Sequence, residues 1–284
     1  MSLVFYSDTV QTVRRISADD LRSECTILDN DQEVTAWIIA DVRDFVVKDA
    51  GWEVCRHDAY PSGRVSVPEI VGIRAYLNAG GHFKRALAGK GGNLLQELLS
   101  ECIRGFVQTV CRTQKEHGYA SSHEYYTNFR REYLNSCRLY SGTPPDDIAW
   151  SKKVYYQPAE VIFNRSNAVS ISVKDSGDYI IVSHFSDSHQ QLAAQLTTDA
   201  NGVVTAAEGF YLRIPDHRCG ENVEFVPHLV GCSLVGMKKP TLGLIVGGAK
   251  GCDHLVTMLY NASSTFTRML KHQRHASSPE EAVL

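Results

Sequence analysis

None of the eight cysteines (Cys25, Cys55, Cys102, Cys111, Cys137, Cys219, Cys232 and Cys252) falls in a CxxC pair, so the spacing of a zinc finger or ribbon is excluded. They also lack the compact framework of a disulfide-stapled domain. In a reducing compartment such residues are free thiols or ligands, and most are expected to pack as small apolar groups. No apolar run is long enough to cross a bilayer, and the opening MSLVFYSDTVQTVRRIS has no basic segment leading into an apolar stretch, so a cytoplasmic location is expected. A net charge of -3 shows no strong excess of either sign, which removes nucleic acid and membrane from the expected partners and leaves a small molecule. Phosphate-loop motifs are missing as well. Residues 78–92, NAGGHFKRALAGKGG, have neither the strand–GxGxxG–helix order nor a Gly-Lys-Ser/Thr, and are read as a bent connection. The pairs Arg14-Arg15 and Arg130-Arg131 are assigned to solvated faces.

What the chain does have is self-similarity. Residues 29–52, DNDQEVTAWIIADVRDFVVKDAGW, lie without a gap over residues 187–210, DSHQQLAAQLTTDANGVVTAAEGF, matching Asp29 to Asp187, Gln32 to Gln190, Asp41 to Asp199, Val46 to Val204 and Gly51 to Gly209. The register continues upstream from Leu3 and Val161. Downstream, one slip aligns VPEIVG ending at Gly72 with VPHLVG ending at Gly231, and another aligns Lys90–Leu95 with Lys250–Leu255. The 284 residues have room for two domains, each able to bury a core.

The expected class is α+β, with two tandem repeated modules, each an antiparallel sheet packed with a long helix. Strands are predicted at residues 3–6, 35–40 and 44–47 in the first copy, and at 161–163, 169–173, 179–183, 192–197 and 203–206 in the second. Asp199-Ala200-Asn201-Gly202 reads as a hairpin turn, and Asp41-Val42-Arg43-Asp44 as a turn of different geometry. Apolar residues at helical spacing predict helices over 93–114 and 253–272. Residues 121–139 form a third amphipathic stretch, followed by a proline-bearing loop from Ser141. The domain reading is a degenerate module over 1–120, a helical linker over 121–157, a second module over 158–274 and a disordered tail over 275–284.

The two copies share reactive side chains unevenly. His189, Cys219, Cys252 and His254 stand where the first copy has Asp31, Tyr60, Gly92 and Leu94, so the first copy is read as scaffold and the second as the working half. GGAKGCDHL, residues 247–255, puts a thiol and an imidazole two residues apart where a glycine turn enters a helix, and the free amide groups there are expected to lower the Cys252 pKa. Asp253 is read as a first-turn carboxylate. RIPDHRC, residues 213–219, adds Asp216, His217 and Cys219 on an irregular segment, while Asp199 is read as a turn residue.

Two chemistries fit these residues. In one, Cys219, Cys252 and His254, with His189 or Asp199 as a fourth ligand, hold zinc or iron. In the other, Cys252 is a nucleophile with His254 or His217 as base and Asp216 or Asp199 orienting the imidazole. Residues two apart on a helix do not face each other, which favours two ligands or two separate roles.

The order of these residues resembles a bacterial family of uncharacterised proteins, the domain-of-unknown-function family numbered 2889. The pattern is a histidine before a strand (His189), an aspartate turn (Asp199), a proline segment with a cysteine (Pro215 and Cys219) and Gly251-Cys252-Asp253-His254-Leu255 opening a helix. The resemblance covers residues 160–272, and the first copy joins it only through the repeat. It implies no established activity. The ligand order is also similar to that of iron–sulfur scaffold proteins, an analogy only.

The expected function is an enzyme acting on an organic acyl or carbonyl substrate, such as a secondary-metabolite intermediate, through the Cys/His site. A non-catalytic metal or iron–sulfur carrier and a ligand-binding module with inert cysteines are the alternatives. The assembly expected is an internal pseudo-dimer, with a true homodimer left open.

Overall fold

The computed structural model describes residues 1–90, 92–141 and 160–276. The predicted loop after Ser141, the end of the linker and the tail beyond residue 276 lie outside the described residues. Within them the chain is a mixture of helix and antiparallel sheet. No helix among the described residues is long and apolar enough to cross a membrane.

The nine strands are β1 (Ser2–Arg15), β2 (Asp20–Asp29), β3 (Glu33–Asp41), β4 (Val47–Arg56), β5 (Gly63–Ser66), β6 (Val161–Val173), β7 (Tyr179–Asp187), β8 (Gln191–Thr198) and β9 (Val204–Arg213). Six α-helices are described: α1 (Gly80–Ala86), α2 (Gly92–Thr109), α3 (Ser122–Glu132), α4 (His217–Gly220), α5 (Lys239–Ile245) and α6 (Asp253–Ala276). The chain forms two compact units, with β1 and β6 each contributing residues to both. One comprises Asp8–Tyr133 and Pro145–Ser166, and is called the N-terminal unit. The C-terminal unit comprises Met1–Ser7, Leu134–Pro144 and Asn167–Leu284.

In the N-terminal unit β2, β3, β4 and β5 form an antiparallel meander. Alternation along β3 buries Val34, Ala36, Ile38 and Ala40 on one face, where α2 lays down Leu95, Leu98, Leu99, Cys102 and Phe106. Each of those larger side chains contributes about 1.5–3 kcal/mol by leaving water. Ser23 Oγ donates to the Cys102 carbonyl at 2.8 Å, tying the helix to the sheet.

The C-terminal unit repeats this logic with β7, β8 and β9. Leu192, Ala194 and Leu196 of β8 are buried, and α6 supplies Leu255, Met258, Leu259, Ala262 and Phe266. Ser183 Oγ donates to the Met258 carbonyl at 3.2 Å.

Both units contain the same fastened turn. Asp29 Oδ1 accepts the N–H groups of Asp31 and Gln32 at 2.9 and 3.0 Å, and Arg56 donates to the carbonyls of Asn30 at 2.6 Å and Asp29 at 2.7 Å. Asp187 Oδ1 accepts from His189 and Gln190 at 2.8 and 2.9 Å, and Arg213 donates to the carbonyls of Ser188 at 3.2 Å and Asp187 at 2.5 Å.

Several expectations need correction. Residues 29–52 do not lie over 187–210 without a gap. Ala40 pairs with Val47 and Thr198 with Val204, so the second turn is one residue shorter and Trp52, not Gly51, takes the place of Gly209. Strand β2 lacks a clear signal in the sequence, because its inward side includes Ser23, which interrupts the apolar alternation. Residues 44 and 45 are not strand, and Val46 makes only an isolated bridge to Arg74: Asp44 accepts the Val46 N–H at 2.9 Å and Phe45 takes φ 59°.

The two strands predicted at 161–163 and 169–173 are one strand, β6. Arg165 and Asn167 are buried at its centre, which hides it from a hydrophobic pattern. Residues 80–86 of the supposed bent connection are helical, and α3 ends at Glu132, short of residue 139. Helix α6 runs to Ala276, so residues 275 and 276 are not part of a disordered tail.

Candidate functional site

The site is built where β7 passes beneath the first turns of α6. Period-two alternation points Ile181, Ser183, Phe185 and Asp187 to one buried face. From Ser183 to Asp187, two strand steps of about 6.7 Å each advance along the helix by successive four-residue spans of about 6 Å. Ser183 therefore meets Met258, and the next residues meet His254. The Phe185 and His254 rings contact edge to face with centroids 5.4 Å apart. His254 Nε2 lies 3.9 Å from Asp187 Oδ2, a charge contact longer than a hydrogen bond. The Asp187 side chain is fully buried, while that of His254 is 28% exposed.

Cys252 ends the glycine turn. Gly247 adopts φ 107°, and a Cβ there would meet the Gly251 Cα and the Phe225 ring at 2.8 Å. A Cβ on Gly251 would meet the Val246 carbonyl at 2.6 Å. The tight turn places Cys252 just before α6, where the backbone N–H groups of His254 and Leu255 favour the anionic form of its sulfur. Its Sγ lies 3.9 Å from His254 Nδ1. Two residues at this spacing inside a helix do not face each other, but Cys252 lies outside α6 and so can approach His254.

The expected lowering of the Cys252 pKa is not found. Burial dominates and pushes the thiol up, and the amide groups and the Tyr211 hydroxyl oppose that shift without cancelling it. Cys252 therefore rests as a neutral thiol.

Tyr211 was missed by sequence reasoning. It pairs with Leu192 across β8 and β9, and so faces the core side of the sheet. Its hydroxyl is buried, has no partner at ordinary hydrogen-bond geometry and acts on the Cys252 sulfur. Burial pushes its pKa far above the usual phenol range.

Cys219 lies in α4, and burial first, then the sulfurs of Cys252 and Cys137, push its thiol up to about 12. Asp216 caps α4 by accepting the Arg218 N–H at 2.9 Å and also binds the Arg218 guanidinium, which outweighs burial and holds its carboxyl below the usual range. His217 Nδ1 lies 3.4 Å from Asp216, but the His217 side chain is 81% exposed. Asp199 accepts the N–H groups of Asn201 and Val203, the turn role read from the sequence. His189 gives its backbone N–H to Asp187. The carboxylate that meets the His254 imidazole is thus Asp187, and neither Asp216 nor Asp199 is seen to do so.

Its signal was present: the alternation of β7 continues past Ser183, and Asp187 and Asp29 fasten their turns with the same pattern of bonds. Among the described residues, no group of three or more His, Cys, Asp or Glu side chains is arranged to hold a metal ion.

These features define an α+β protein whose C-terminal unit holds a buried thiol, an imidazole and a carboxylate in successive contact. Residues 164–268 match the family described as Protein of unknown function (DUF2889), which bears out the resemblance seen in the second half of the sequence. No curated protein and no solved structure shows significant similarity to the chain.

Proposed function

We propose that the C-terminal unit is an acyl-transfer or hydrolytic enzyme in which Cys252 is the nucleophile, His254 the base and Asp187 the group that orients and charges the imidazole. The observation that carries this reading is the sequence of contacts from Cys252 Sγ to His254 Nδ1 and from His254 Nε2 to Asp187, each 3.9 Å. The thiol starts neutral. Its sulfur attacks the substrate carbonyl carbon as the proton passes to His254, and the leaving group departs with that proton. Water then attacks the thioester, giving a proton to His254 that returns to the sulfur as the carboxylic acid leaves.

The amide groups of His254 and Leu255 and the Tyr211 hydroxyl stabilise the negative charge that develops on sulfur. The organic acyl substrate is a small molecule, consistent with the absence of any strong charge bias. A zinc or iron site built from Cys219, Cys252, His254 and His189 has less support, since the described ligand types do not gather in threes.

The unequal roles of the two units belong to the same proposal: the chain is a duplicated module, and the N-terminal copy is the scaffold. The paired Asp29/Arg56 and Asp187/Arg213 turns support the duplication. Gly92 takes the place of Cys252 in the first copy, and the Tyr60 hydroxyl occupies the space its side chain would fill.

The test is exposure of the intact protein to p-nitrophenyl acetate. A burst of one p-nitrophenol per chain, with the acetyl group on the Cys252 peptide, is expected. Cys252→Ala should abolish the burst, and His254→Ala should slow it by about 10²–10⁴-fold. An acetyl group on another residue, or an unchanged burst in Cys252→Ala, overturns the reading.

A further inference from the structure

A second cysteine belongs to a segment hydrogen-bonded to the chain just before the proposed nucleophile. The Arg138 N–H donates to the Gly251 carbonyl at 3.0 Å, so the peptide that follows Cys137 is hydrogen-bonded to the peptide that precedes Cys252. The Cys137 segment is clamped there. The Arg138 guanidinium forms ion pairs with Glu221 and Glu224 and lies 5.5 Å from the Phe225 ring centroid, and Phe225 packs where a Gly247 side chain would be. Both cysteines are free thiols, Cys252 buried and Cys137 partly exposed.

We propose that Cys137 and Cys252 form a reversible disulfide in response to low-molecular-weight disulfides, closing the Cys252 site. The accessible sulfur reacts first. The Cys137 thiol attacks one sulfur of a small disulfide, forming a mixed disulfide and releasing one small thiol that carries the proton away. Cys252 then attacks the Cys137 sulfur, with His254 taking its proton, and the second small thiol leaves with that proton. Two protein thiols are oxidised and one small disulfide is reduced to two thiols. A dithiol reductant returns both cysteines to thiols and is itself oxidised to its cyclic disulfide.

This inference rests on the proposed function only in that the bond blocks the acyl-accepting sulfur; the bond itself is read independently. The experiment is a titration of the intact, reduced protein with oxidised glutathione, followed by alkylation and peptide mass mapping without reductant. The expected result is a Cys137–Cys252 linked peptide and loss of the p-nitrophenol burst, both restored by dithiothreitol.

In Cys137→Ala the burst should persist in oxidised glutathione, and in Cys219→Ala the link should still form. A Cys219–Cys252 link, or glutathione retained on Cys137 with Cys252 still alkylated, overturns the proposal. A link that forms in a protein with no burst keeps this inference and removes the acyl-transfer reading.

Discussion

Asp187 uses its two carboxylate oxygens for different purposes: Oδ1 holds the turn through the N–H groups of His189 and Gln190, and Oδ2 lies 3.9 Å from His254 Nε2. One buried carboxylate thus joins backbone geometry to the imidazole. Asp187→Asn keeps an oxygen for the turn but removes the charge facing His254. The burst rate should fall about tenfold, equivalent to about 1.4 kcal/mol, with little change in melting temperature. A large loss of stability with an unchanged burst would make Asp187 a turn residue alone.

Arg213 and Arg56 make matching sets of bonds to turn carbonyls in their own units. Truncating either to Ala leaves those carbonyls to water and removes charged donors. A loss of about 1.5–3 kcal/mol is expected for each, measured by urea unfolding. Unequal losses would count against equivalent roles for the two turns.

Gly247 and Gly243 provide a matched pair. A side chain at Gly247 meets backbone and the Phe225 ring at φ 107°, whereas one at Gly243, inside α5, meets nothing within 4 Å. Gly247→Ala should lower stability by about 1–3 kcal/mol and suppress the burst, because the turn that presents Cys252 is displaced. Gly243→Ala should raise stability by about 0.5–1 kcal/mol. Circular dichroism melts and burst amplitudes read both.

Burial raises the thiols of Cys25, Cys102, Cys219 and Cys252 above their ordinary range. For a group whose folded pKa is raised, the contribution to stability is complete below the unfolded pKa and is lost as pH rises towards the folded value. Stability should therefore decline from about pH 8.5 upward, by about 1.4 kcal/mol per pH unit for each such thiol. Urea midpoints from pH 7 to 10 test this, and Cys219→Ala should flatten the decline. A flat profile in the intact protein would contradict the burial of these sulfurs.

Much of the framework was legible from periodicity. Leu192, Ala194 and Leu196 alternate, and Leu255, Leu259, Ala262 and Phe266 recur at helical spacing, so β8 and α6 were readable from side-chain pattern. β2 and the middle of β6 were not. Ser23 and Arg165 are buried on partners supplied from elsewhere, Cys102 for the first and Glu101 for the second, and local hydropathy carries no record of such partners.

The candidate site divides in the same way. The order Gly-Cys-Asp-His-Leu sets the glycine turn, the position of Cys252 at the mouth of α6 and the identity of the neighbouring imidazole, because each follows from adjacent covalent geometry. Which carboxylate reaches His254, which hydroxyl acts on the sulfur and which second cysteine's segment is bonded to the glycine turn depend on where β7, β9 and the Cys137 segment cross that helix end. Those crossings arise from packing between distant stretches of chain. The thiol's resting protonation has the same origin, since the local amide groups favour the anion and the burial imposed by the surrounding core outweighs them.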